Sequence, residues 1–190
     1  MTQLFHTLRK NPFVDFVVTI VVAVAIAYVV QLWIVKPFQI PSGSMLQTFH
    51  LGDRIIAARF LYHFTDPKRG DIVVFYPNGV GSEARNVPSA ASVVFVKRLI
   101  GLPGEWIQSG GRQVQVCRGR GTGCRTLREP YISSPQRPFG PTQIPAGHYF
   151  MMGDNRDDSA DSRVWGSIPR RQIIGRAFMI YWPISRVRFF

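Results

Sequence analysis

Residues 148–163 read His148-Tyr149-Phe150-Met151-Met152-Gly153-Asp154-Asn155-Arg156-Asp157-Asp158-Ser159-Ala160-Asp161-Ser162-Arg163. An apolar, strand-like run passes directly into a loop made mostly of charged and hydroxylic side chains. Gly153 and Asn155 add turn chemistry. A merely solvated loop rarely follows a buried strand with so many hydrogen-bonding groups. A polar scaffold that positions something else has this composition. The strand that feeds it has company. Similar runs recur near 55–58, 72–75, 93–100 and 173–182. The 17 Gly and 14 Pro of this 190-residue chain are spread throughout, which favours many short strands and turns over long helices. The expected fold is mostly β.

One segment breaks that pattern. Residues 16–35 carry no charge, and their strongly polar members are Thr19 and Gln31. Twenty helical residues span about 30 Å, the thickness of a bilayer's hydrocarbon core. Only an α-helix satisfies the backbone of an isolated span there. Trp33 stands near one end, where an amphipathic ring suits the interface. A cleaved secretory signal fits less well: the apolar run is long, and Lys36-Pro37-Phe38 follows where a small-x-small site is needed. Arg9 and Lys10 precede the span and favour an N-terminus inside, with the bulk of the chain outside.

The formal charge is +12. Its basic residues are scattered, and no helix-turn-helix or aromatic RNA-binding motif accompanies them, which argues against a nucleic-acid partner. Anionic membrane lipids are the better match once an anchor is recognised.

Two further segments carry chemistry. Pro41-Ser42-Gly43-Ser44-Met45 places a hydroxyl beside a residue without a side chain, and Pro41 limits how the chain enters the turn. Ser44 lies nine residues past Val35, so it sits no more than about 30 Å of extended chain from the apolar segment. A serine nucleophile needs a base. His6, His50, His63 and His148 fall in no recognisable Ser/His/Asp arrangement. Lys97 follows Ala91-Ser92-Val93-Val94-Phe95-Val96, and strand alternation puts it on the face of Phe95 and Leu99. A charged lysine on an apolar face is costly, which is expected to lower its pKa. Gly101, Pro103 and Gly104 then mark a tight exit turn.

The motifs 41–45, 97–105 and 153–163, in that order, resemble those of bacterial type I signal peptidases, or leader peptidases. So do the run Arg69-Gly70-Asp71-Ile72-Val73-Val74-Phe75 and the N-terminal apolar segment. That family consists of membrane-anchored serine proteases whose general base is a lysine. The resemblance implies a single transmembrane helix followed by an all-β catalytic core with a smaller inserted β lobe. Its expected divisions are a cytoplasmic N-terminus (1–12), the transmembrane helix (13–35), core (36–101), lobe (102–144) and core again (145–190). It implies Ser44 as nucleophile, Lys97 as base, and an oxyanion hole formed by the Ser42 hydroxyl and the Ser44 N–H. Ser159 is expected to hydrogen-bond Lys97, and Asp161 with Arg163 to brace the loop. No metal and no cofactor are expected; Arg156 and Arg163 already offset the loop's acids, and the spacing fits no EF-hand. The implied substrates are secretory preproteins, cleaved after small residues at the outer face of the bacterial plasma membrane.

Cys117 and Cys124 bracket Arg118-Gly119-Arg120-Gly121-Thr122-Gly123, a loop able to close on a disulfide as in some members of that family. Such a bond is worth about 2.5 kcal/mol on the loop-entropy estimate. Two free thiols remain an alternative. Two departures stand out. The family usually reads S-M-x-P-T-L after the nucleophile, where this chain has Leu46-Gln47-Thr48-Phe49. It often has Asn where this chain has Asp158, whose charge would have to point away from Lys97. Three other readings stay open: a specialised Ser/Lys protease for pilin or conjugation proteins, a catalytically silent membrane-anchored binding protein, and a nucleic-acid-binding module.

Overall fold

The computed structural model describes residues 12–33, 35–76 and 94–190, without the side chains of 29–33 and 35. Arg9, Lys10 and Val93, used above for topology and for a strand, lie outside the described residues. The first element among the described residues is helix α1, Pro12–Trp33, 22 residues long. Proline suits a helix's first turn, where its missing N–H has no partner to lose. At 1.5 Å per residue α1 is about 33 Å long. Its side chains are described as far as Tyr28 and are largely exposed, with Phe13 at 71%, Val24 at 63% and Tyr28 at 62%. Among the described residues no helix is long and apolar enough to cross a membrane.

Val35, expected to end the helix, instead begins strand β1, Val35–Gln39. It pairs with Ala58 of β2, Arg54–Ala58, in an antiparallel ladder. The correction has a simple cause. An apolar residue at the end of an apolar run fits the last turn of a helix and the start of a strand equally, and only the β2 partner decides. β1 is the edge of its sheet, which tolerates Pro37 and its missing donor.

The larger sheet adds β3 (Ile72–Phe75), β4 (Phe95–Gly101), β9 (His148–Met152), β10 (Ile168–Pro169), β11 (Ile173–Trp182) and β12 (Arg188–Phe189). Their spatial order is β1-β2-β11-β3-β4-β9-β10, with β12 paired to β11. β3 is buried along its whole length because both its faces are covered. Ile72 and Val74 join one apolar cluster with Ile55, Val96 and Ile180, while Val73 and Phe75 join another with Leu99, Tyr149 and Met151. This is why the sequence of β3 reads as an unbroken apolar run.

A second sheet, ordered β7-β6-β5-β8, contains β5 (Trp106–Ser109), β6 (Val114–Cys117), β7 (Arg125–Thr126) and β8 (Phe139–Gln143). Its core of Ile107, Val114 and Val116 meets Ile100 of β4 and Phe150 and Met152 of β9. The turn between the sheets is fixed electrostatically. Glu105 accepts a hydrogen bond from the Leu102 N–H at 2.8 Å and an ion pair from Arg69 at 2.5 Å. Cys117 and Cys124 are joined by a disulfide across the β6–β7 turn.

Candidate active site

Ser44 lies in a single 3₁₀ turn, Gly43–Met45, whose Met45 is buried. The apolar side chain pins the turn into the core while the preceding serine lines a cleft. Ser42 Oγ is 3.4 Å from Ser44 Oγ. Lys97, in β4, pairs with Val73 of β3, on the face that also carries Leu99. It is only 5% exposed, and its Nζ is in hydrogen-bond contact with Ser44 Oγ. Both line a cleft of about 300 Å³ with Ile40, Met45, Val96 and Asp158. None of His50, His63 or His148 lines it.

The polar loop braces this pair through backbone atoms. Asn155 donates its N–H to the Ser44 carbonyl at 3.1 Å and its Nδ2 to the Gly43 carbonyl at 3.1 Å. Asp161 is fully buried and caps the short helix α3, which follows α2 (Leu61–Phe64) and spans Ser162–Trp165. Its carboxylate accepts from Arg163 Nε at 2.8 Å and Nη2 at 2.7 Å, and from the Gly153 N–H at 2.9 Å. This bidentate pair holds Gly153, the residue against which the Ser44 backbone rests. Gly153 has no alternative there. A Cβ at that position would stand 2.4 Å from the Ser44 carbonyl oxygen and 2.3 Å from Ser159 Oγ.

Ser159 is therefore beside the Ser44 turn, but the expected bond to Lys97 is not among its contacts with the described residues. Among the described residues Ser159 Oγ is buried without a hydrogen-bond partner, and the lysine amine is in contact with Ser44. Asp158 lines the same cleft as Lys97.

Sequence reasoning missed two buried ion pairs. Asp154 is met by Arg98, not by an arginine of its own loop, at 2.8 Å from Nε and 2.6 Å from Nη2. Arg156 is met by Glu129 at 2.5 Å and by Gln136 at 2.8 Å, while its Nε donates to the Gly153 carbonyl at 3.0 Å. The two pairs touch through Tyr131. Its ring lies 3.9 Å from the Arg98 guanidinium carbon, and its hydroxyl donates to Glu129 at 3.0 Å. Burial, followed by the Glu129 carboxylate, pushes that hydroxyl well above the usual tyrosine range, so it remains a donor.

Gln47 has φ +83°, the left-handed region, where a proline cannot go. The loop after Ser44 thus follows a path closed to the usual family residue. Gln47→Gly should stabilise the protein by about 1 kcal/mol by removing that penalty. Gln47→Pro should destabilise it by about 3 kcal/mol or more, since the loop must be rebuilt. Thermal melts of the detergent-solubilised chain would show both; a proline variant as stable as wild type removes the argument.

A hydroxyl in contact with a buried amine, on the wall of a peptide-sized cleft, is equipped for acyl transfer with lysine as the proton acceptor. That chemistry describes a class of serine hydrolase, and the comparisons give the family. The signal peptidase, peptidase S26, family model matches residues 13–182. Signal peptidase I of Leptolyngbya laminosa is 38% identical over 93% of this chain and 83% of that protein. Signal peptidase I of Bacillus licheniformis is 30% identical over 99% of this chain and 98% of that protein. A solved signal peptidase I from Enterococcus faecalis is 27% identical with a TM-score of 0.45, covering 59% of this chain and 97% of that one. The chain belongs to the S26 signal peptidase family and is a serine peptidase.

Proposed function

We propose that this protein is a membrane-anchored endopeptidase that removes signal peptides from secretory preproteins. The contact between Lys97 Nζ and Ser44 Oγ in the cleft carries the reading. Ser44 Oγ attacks the scissile carbonyl carbon and its proton passes to the neutral Lys97 amine. The resulting oxyanion is held by the Ser44 N–H and the Ser42 hydroxyl, donors of a kind worth a few kcal/mol each. The Lys97 ammonium then protonates the departing amine, and the peptide C–N bond breaks. Water, deprotonated by the same lysine, releases the acyl group. On this reading Ser159 steadies the lysine when substrate enters, while Asp161 and Arg163 hold the loop. Cleavage after small residues is the family's preference.

For anchoring, α1 offers a 22-residue helix whose described side chains are largely apolar and exposed. We place its N-terminus in the cytoplasm and the sheets on the outer face of the plasma membrane. The Cys117–Cys124 disulfide suits such an oxidising compartment. Anionic lipids would attract the excess positive charge.

The test is cleavage of a purified secretory preprotein by the full chain in non-ionic detergent, with the products mapped by mass. A single cut after a small residue is expected. An intact preprotein beside a cleaved pilin precursor would replace this reading with the specialised one. The protein should also stay in the membrane pellet through an alkaline carbonate wash; release into the supernatant would remove the anchor.

A further inference from the structure

Asp158 is the acidic residue of the cleft lining. The other cleft residues are Lys97, two serines and neutral, mostly apolar side chains. Asp158 is exposed, and among the described residues its carboxylate has neither a hydrogen bond nor an ion pair. Every other acid of its loop that is buried is spent on an arginine: Asp154 on Arg98 and Asp161 on Arg163. A carboxylate without a partner on the cleft wall is available to a peptide bound there. We propose that Asp158 is a specificity-determining residue that selects peptides carrying a lysine or arginine in the segment next to the scissile bond. The proposal rests on the peptidase reading above.

A half-solvated ion pair contributes modestly. The cation gains, and a glutamate at the same place is repelled, so preference is read best as a ratio. With peptides identical except for Lys, Gln or Glu at one position, scanned through the residues flanking the cut, wild type should favour Lys over Glu by about 5- to 10-fold in kcat/KM at one or two positions. That preference should fade as salt rises toward 1 M, because an exposed pair is screened. In Asp158→Asn the Lys-to-Glu ratio should approach about 1, and in Asp158→Lys it should invert.

The neutral Gln peptide is the reference in each variant, so the outcomes separate. Failure of wild type to cut the Gln peptide sinks the peptidase reading and this proposal with it. Cleavage of Gln peptide with a Lys-to-Glu ratio in Asp158→Asn within about two-fold of wild type overturns this proposal alone. So does a uniform change across all three peptides, which marks an effect on the Lys97 amine rather than on substrate choice.

Discussion

Ser44→Ala and Lys97→Met are each expected to abolish peptide cleavage while leaving the fold intact. Alanine removes the oxygen proposed to attack the peptide and almost no volume. Methionine keeps the length and burial of Lys97, which is 5% exposed, and removes only the amine. Losses on the order of 10⁴-fold or more in kcat follow when a nucleophile–base unit is broken. Because the two act as one unit, the double variant should be no slower than either single variant. Lys97→Arg should be equally inactive, since a guanidinium stays protonated near neutrality. In wild type, kcat/KM should climb with pH, because an ammonium cannot accept the serine proton and the neutral amine can. The residual rates, the pH profile and circular dichroism of each variant check this. Activity in Lys97→Arg would put the base elsewhere. So would a profile governed by histidine, which the geometry disfavours because none of the three described histidines reaches the cleft.

That Ser44 and Lys97 belong together was legible in the sequence, while the structure around their contact was legible only in part. Ser44 sits between a glycine and a methionine that becomes buried, and Lys97 interrupts an apolar strand. Both are local departures from a local pattern, and local patterns survive in a linear reading. β3 and β9 were legible for the same reason: each is a short apolar run bounded by turn or polar residues, with no competing helix length. Val35 was misread because its strand identity depends on Ala58, 23 positions away. Charge pairing failed in the same manner. Asp154 and Arg156 stand two residues apart, and neighbouring charges invite pairing within the loop. The turn sends them in different directions instead, to Arg98 and to Glu129. Gln47 illustrates a third kind of limit. The missing proline is visible, but that its backbone has crossed to positive φ is a property of the folded loop.

Glu129→Ala is expected to cost the most stability of any single surface-to-core change at this site. Arg156 has a side-chain exposure of 0% and Glu129 of 3%, so neither charge can turn to water when its partner is lost. Gln136 and the Gly153 carbonyl would remain as acceptors, but neither carries charge. Breaking a buried pair from one side typically costs about 3–5 kcal/mol, which for a domain of this size lowers Tm by roughly 10 °C. Glu129→Gln should cost less, because an amide oxygen still accepts from the guanidinium. The informative comparison is Glu129→Leu combined with Arg156→Met. Replacing both charges by apolar groups of similar volume is often near neutral, so the double variant should recover much of the loss. Recovery of stability need not restore activity. Arg156 Nε donates to the carbonyl of Gly153, the residue packed against the Ser44 backbone. A stable double variant with impaired cleavage would show that the pair acts on the site by aiming Gly153. A single Glu129→Ala variant that melts within about 2 °C of wild type would mean that the charge on Arg156 is compensated without Glu129, and the stabilising role assigned to the pair would fall.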